Sequence, residues 1–134
     1  MTASALMERR IRGVGFDDTV AAVQSFMVRE GLSWVPVLAA GGAVVGVVSA
    51  VDLLRFHEGK RDAAAVPAWQ LCTYKPVAVD PDAPVDAVAA LMWTHQVHHV
   101  VVMHDGRLEG VVSSLDVVKT LASGTPEHGP STLG

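Results

Sequence analysis

The segment Gly46-Val47-Val48-Ser49-Ala50-Val51-Asp52 returns as Gly110-Val111-Val112-Ser113-Ser114-Leu115-Asp116, 64 residues later. Upstream, Leu6, Val14, Asp17, Val20, Val23, Met27, Val35 and Val37 find identical residues 65 positions on, at Leu71, Val79, Asp82, Val85, Val88, Met92, Val100 and Val102. The offset drops by one between Val37 and Gly42, where the first copy carries an extra turn residue. A repeat this long in 134 residues means two similar subdomains. It also means two equivalent sites at the seam between them. Each half, about 60 residues, buries only a modest core alone.

Half of the residues are hydrophobic and 18% are charged, the composition of a globular chain. A net charge of -4 gives no electrostatic reason to expect nucleic acid, and the basic residues gather only at Arg9, Arg10 and Arg12. The single cysteine, Cys72, excludes an internal disulfide and suits a reducing compartment. No stretch reads as a signal peptide, and no apolar run reaches about 18 residues. The expectation is a cytoplasmic protein without a membrane segment.

Each copy reads as strand, helix, strand, strand, helix. In the second, Pro76 to Val79 is a short strand, and Asp80-Pro81-Asp82-Ala83-Pro84 sets up a helix from about Val85 to Thr94. Val85, Val88, Ala89 and Met92 form its apolar stripe. His99 to Met103 is the apolar run of a strand buried on both faces, and His104-Asp105-Gly106-Arg107 is a turn. Leu108 to Val112 follows as a strand, then a helix from Ser114 capped by Ser113. In the first copy Asp17 or Asp18 starts a helix to about Arg29, Trp34 to Leu38 and Ala43 to Val48 are strands, and Ser49 caps a second helix. The linear division is an arm at 1–5, a first repeat at 6–60, a connector at 61–68, a second repeat at 69–122 and a disordered tail at 123–134.

The repeated Gly-x-Val-Ser-x-x-Asp describes a strand running straight into a helix. One explanation is structural: Ser caps the helix, and an acid at its third position completes a capping box. The other uses the same geometry for binding. Free backbone N–H groups and the positive dipole end favour an anion such as phosphate, while an acid there accepts hydrogen bonds from ribose hydroxyls. Two copies in the same five-element frame favour the second explanation.

These residues resemble a tandem pair of cystathionine β-synthase (CBS) domains, the Bateman module. The resemblance rests on Thr73-Tyr74-Lys75-Pro76-Val77, Val79-Asp80-Pro81-Asp82, His98-His99-Val100-Val101-Val102, Asp105-Gly106 and Gly110 to Val118, with Val35-Pro36-Val37 and Gly46 to Leu54 in the first copy. It spans roughly residues 6 to 122. It implies an α/β (α+β) fold of two β-α-β-β-α repeats about a pseudo-twofold axis, with two clefts between them. The implied ligands are AMP, ADP, ATP or S-adenosylmethionine, and pairs are expected to form homodimers. Carried over position by position, Asp52 and Asp116 are ribose acids, with Ser49 and Ser113 beside ribose or phosphate. Asp52 and Ser49 face Val77 and His98, with His98 the phosphate candidate; Asp116 and Ser113 face Arg12 and Ser33-Trp34. Ser33-Trp34 stands where the second copy has His98-His99, and the first copy's leading strand is Arg-Gly-Val-Gly, so the clefts are expected to differ. Arg9, Arg10 and Arg12 suit phosphates, or form a solvated arm.

His95 and His99 are spaced for a metal on one helical face, but the expected helix ends between them, and no acid is placed as a further ligand. Cys72 has no thiolate-stabilising cluster. No G-x-S-x-G, P-loop or metal-carboxylate pattern is present, so no enzyme is expected. The expected function is a regulatory module that binds an adenosyl compound and passes occupancy to an effector protein. The rivals are a structural dimerisation module with empty clefts and a nucleic-acid binder, which the acidic charge disfavours.

Overall fold

The computed structural model describes residues 1–122, so the tail expected at 123–134 lies outside the described residues. The chain order is α1 (Ala3–Leu6), β1 (Val14–Gly15), α2 (Val20–Glu30), β2 (Trp34–Leu38), β3 (Val44–Ser49), α3 (Ala50–Glu58), a 3-10 turn (Ala68–Gln70), β4 (Thr73–Tyr74), β5 (Ala78–Val79), α4 (Val85–His95), β6 (His99–His104), β7 (Arg107–Ser113) and α5 (Ser114–Ala122). The fold is mixed α+β with two sheets. One has the order β1-β2-β3-β4 and the other β5-β6-β7. In each, a short leading strand runs parallel to the central strand, which pairs antiparallel with the next.

Periodicity explains the elements. Val20, Val23 and Met27 turn one face of α2 to the core, and Val88 and Met92 do so in α4. Val100, Val101 and Val102 are wholly buried, as a strand covered on both faces must be. The helix starts differ from the Asp caps read in the sequence. Thr19 caps α2, its hydroxyl accepting the Ala22 N–H at 3.1 Å, while Asp18 accepts the Gly15 N–H at 2.7 Å. Helix α4 begins after Pro84 with no side-chain cap.

The missing donor partners come from elsewhere in the chain. The Val85 N–H donates to the Met1 carbonyl at 3.1 Å, and the Val20 N–H to the Val66 carbonyl at 2.8 Å. Each is a free N–H at a helix start, satisfied by a segment of the other copy's lead. The pattern continues at equivalent positions: Ala3 N–H donates to Ala83 O at 2.8 Å, and Ala68 N–H to Asp18 O at 2.7 Å. Glu8 bridges Val111 on β7, as Thr73 pairs with Val47 on β3. The two copies thus exchange their leading segments.

The cores record the exchange. Val66, Ala68 and Cys72 pack with Val20, Val35, Val48 and Phe56 of the first copy. Ala3 and Met7 pack with Val79, Val88, Val100 and Val112 of the second. Ala3 and Ala68, assigned by the linear division to an arm and a connector, are both fully buried.

The exchange explains the glycine of the repeated motif. A Cβ on Gly46 would lie 2.5 Å from the Thr73 carbonyl oxygen and 2.9 Å from Cys72 Sγ. A Cβ on Gly110 would lie 2.6 Å from Met7 Sδ. Met7 and Cys72 are themselves equivalent positions, so each glycine makes room for the crossing segment. At Gly46 the obstacle includes backbone; at Gly110 it includes Met7 Cβ at 2.9 Å, which side-chain rotation cannot move. Gly46→Ala and Gly110→Ala are therefore each expected to destabilise by about 1–3 kcal/mol. Urea unfolding tests this as a lower midpoint at unchanged slope. An unshifted Gly46→Ala midpoint would mean that the crossing segment does not lie against β3.

Candidate functional site

At both strand-to-helix junctions the Ser-x-x-Asp residues form the same device. Asp52 Oδ2 accepts the Ser49 N–H at 2.8 Å, and Ser49 Oγ accepts the Asp52 N–H at 3.2 Å. In the second copy, Asp116 Oδ2 accepts the Ser113 N–H at 2.9 Å, and Ser113 Oγ accepts the Asp116 N–H at 3.2 Å. Both are capping boxes, so the structural explanation of the motif holds in full. The acids differ in what remains. Asp52 also accepts the Ser49 hydroxyl at 2.9 Å and lies 3.6 Å from Arg55. Asp116 Oδ1 has no partner among the described residues.

A cavity of about 480 Å³ opens beside Asp116. One wall is β7 and the start of α5, through Val111, Ser113 and Asp116. The other is Leu32, Trp34 and Pro36 of the first copy, with His99 at the seam. Glu8, Arg10, Ile11 and Arg12 close it. They belong to the stretch that leaves β7 at Glu8 and joins the first copy's sheet at Val14. That stretch must span the seam, so it becomes a cavity wall.

Of the residues expected at the site, Arg12, Ser113 and Asp116 meet around this cavity. Ser33 is exposed and outside it, while its neighbours Leu32 and Trp34 line it. On the other side Ser49 and Asp52 are bonded to each other. Val77 is half-buried against the second core, its carbonyl accepting the Val101 N–H at 3.0 Å. His98 is exposed, its carbonyl accepting the Ser114 N–H at 2.8 Å. None of these four lines the cavity. His95 ends α4 and His99 begins β6, so the two share no helical face.

The sequence reading passed over Glu8, Leu32, Pro36 and His99 as site residues. His99 had a signal: the offset of the repeat maps it onto Trp34. Equivalent positions meet at a twofold axis, and the two rings stack, centroids 4.7 Å apart and planes within 11°. Burial holds the His99 pKa below its ordinary 6.5; His98 adds to the shift and the Asp116 carboxylate opposes it. The fold therefore favours neutral His99. Stability from this group is present above the unfolded value and is lost as pH falls below about 6.5. His99→Gln is expected to flatten the loss of stability between about pH 7 and about pH 5, read from urea midpoints across pH. An unchanged slope would mean that His99 is not desolvated.

Among the described residues no group of three His, Cys, Asp or Glu is placed to hold a metal ion, and no helix is long and apolar enough to cross a membrane. Among curated proteins no sequence relative matches the chain. Solved structures share the fold. A signal-transduction protein with CBS domains from Burkholderia ambifaria is 25% identical, with 97% of this chain and 100% of that one covered and a TM-score of 0.85. The CBS domain protein PAE2072 from Pyrobaculum aerophilum, complexed with AMP, is 26% identical, with 92% and 100% covered and a TM-score of 0.80. The CBS domain pair of protein MJ0100, in complex with 5′-methylthioadenosine and S-adenosyl-L-methionine, is 17% identical, with 93% and 98% covered and a TM-score of 0.83. The family model for the CBS domain matches twice, at residues 3–59 and 68–123, each match beginning inside a leading segment that docks on the other copy. With the repeat, the paired sheets and the interlocked halves, these matches establish that the chain belongs to the CBS-domain family.

Proposed function

We propose that this chain is a regulatory module, not an enzyme, that binds an adenosyl compound between its two repeats and passes occupancy to an effector protein. The observation that carries the reading is the cavity beside Asp116. A helix start, an acid with an unoccupied oxygen and an apolar slot converge there from both copies. Asp116 takes the ribose hydroxyls, and the Ser113 region with the α5 start offers donors to an anion. Leu32, Pro36, Ile11 and Val111 give an adenine ring apolar contact. Ser49, Asp52, Val77 and His98 form the pseudo-symmetric counterpart. The adenosyl complexes of PAE2072 and MJ0100 support the ligand class. A ligand touching both copies shifts their relative packing only through different affinity for the two arrangements.

A homodimer belongs to the same proposal. Val51 and Leu54 on α3 and their equivalents Leu115 and Val118 on α5 are exposed apolar residues. They offer a second copy two matched patches. The competing reading, a dimerisation module with empty clefts, draws on this surface and on the capping role of both acids.

Thermal unfolding against AMP, ADP, ATP and S-adenosylmethionine separates the two. A bound ligand at about 100 times its dissociation constant stabilises by about 2.7 kcal/mol, a shift of several degrees. Asp116→Asn keeps an acceptor for the helix cap but removes the charge facing ribose. It is expected to weaken binding about 10-fold or more while the unliganded melting temperature moves little. No shift with any of the four on folded protein would leave the dimerisation module as the function.

A further inference from the structure

We infer that this module takes one phosphate-bearing adenosine nucleotide per chain, in the Asp116 cleft, with Arg10 and Arg12 selecting the phosphate; the inference rests on the adenosyl reading above. Both arginines line the cavity. Neither side chain has a hydrogen bond or ion pair among the described residues, whereas Arg9 is engaged by Ser4. Two uncommitted guanidinium groups on a cavity wall offer donors and charge to a multiply charged oxyanion. The nearby acids are partly engaged: Glu8 Oε1 accepts the Arg10 backbone N–H at 2.8 Å, and Asp116 Oδ2 accepts the Ser113 N–H at 2.9 Å. His99, desolvated at the seam, adds a ring without a charge.

The other side of the seam carries less of this chemistry. The repeat places Thr73, Lys75 and Val77 where the Asp116 cleft has Glu8, Arg10 and Arg12, so one of two cations is gone. At Asp52 both Ser49 bonds fall on Oδ2 and Oδ1 carries only the exposed, weak Arg55 contact at 3.6 Å, so the two sides differ in the cations that face the acids rather than in the acids themselves.

The test is isothermal titration of the full chain with AMP and with 5′-methylthioadenosine, which keeps the adenosine and lacks the phosphate. The expected result is one equivalent of AMP per chain, with methylthioadenosine bound at least about 10-fold more weakly. Arg10→Ala combined with Arg12→Ala should remove the preference, so that AMP and methylthioadenosine bind the variant alike, and a cooperative urea transition shows that the variant is folded. Equal affinity for the two ligands, two equivalents of AMP, or AMP binding indifferent to the double substitution would overturn the inference and leave the adenosyl reading standing. Binding of neither ligand would overturn both.

Discussion

The structure depends on the reciprocal passage of two leading segments across the seam: Met7 over Gly110, and Cys72 over Gly46. A half of about 60 residues has too little core to stand alone, and its sheet and helix ends leave polar backbone groups unpaired. The exchange answers both needs. It adds a strand-like contact to each sheet, supplies carbonyls to the starts of α2 and α4, and brings Ala3, Met7, Ala68 and Cys72 into the opposite core. The halves are interlocked rather than merely adjacent.

The candidate site is a by-product of that exchange. Having docked on β7 at Glu8, the chain must return to the first sheet at Val14, and Arg10, Ile11 and Arg12 lie on the return path. Residues of the first copy thereby face Ser113 and Asp116 of the second. The same residues hold the helix start and present it. A capping box contributes about 0.5–2 kcal/mol to the fold. It also fixes the carboxylate of Asp116 with one oxygen turned to backbone and the other unoccupied. Stability and binding are therefore not competing explanations of the Ser-x-x-Asp motif. The difference between the copies lies in what stands opposite each acid.

Much of this is legible in the sequence. The repeat, the apolar faces of Val20, Val23 and Met27 and of Val88 and Met92, the buried run from Val100 to Val102, and the capping role of Ser49 and Ser113 are local patterns. Regular geometry forces each of them. The pairing of Asp116 and Ser113 with Arg12 and Trp34 across a seam is what the resemblance implies. His98 illustrates the limit. The resemblance makes it the phosphate candidate, while period-two alternation exposes it and turns its neighbour His99 onto Trp34.

The sequence by itself determined the element order, the two cores' apolar faces, the family and the pair of acid-bearing helix starts, because each is written in spacing within about a dozen residues or in the repeat itself. Only the tertiary structure decided which copy each leading segment joins, why the motif begins with glycine, what satisfies the starts of α2 and α4, and that Glu8, Arg10 and His99 line the Asp116 cleft. The partners in those contacts stand far apart along the chain. Whether a segment docks on its own half or the other depends on the space left by a missing Cβ and on unpaired carbonyls and N–H groups, quantities that exist only once both halves are folded.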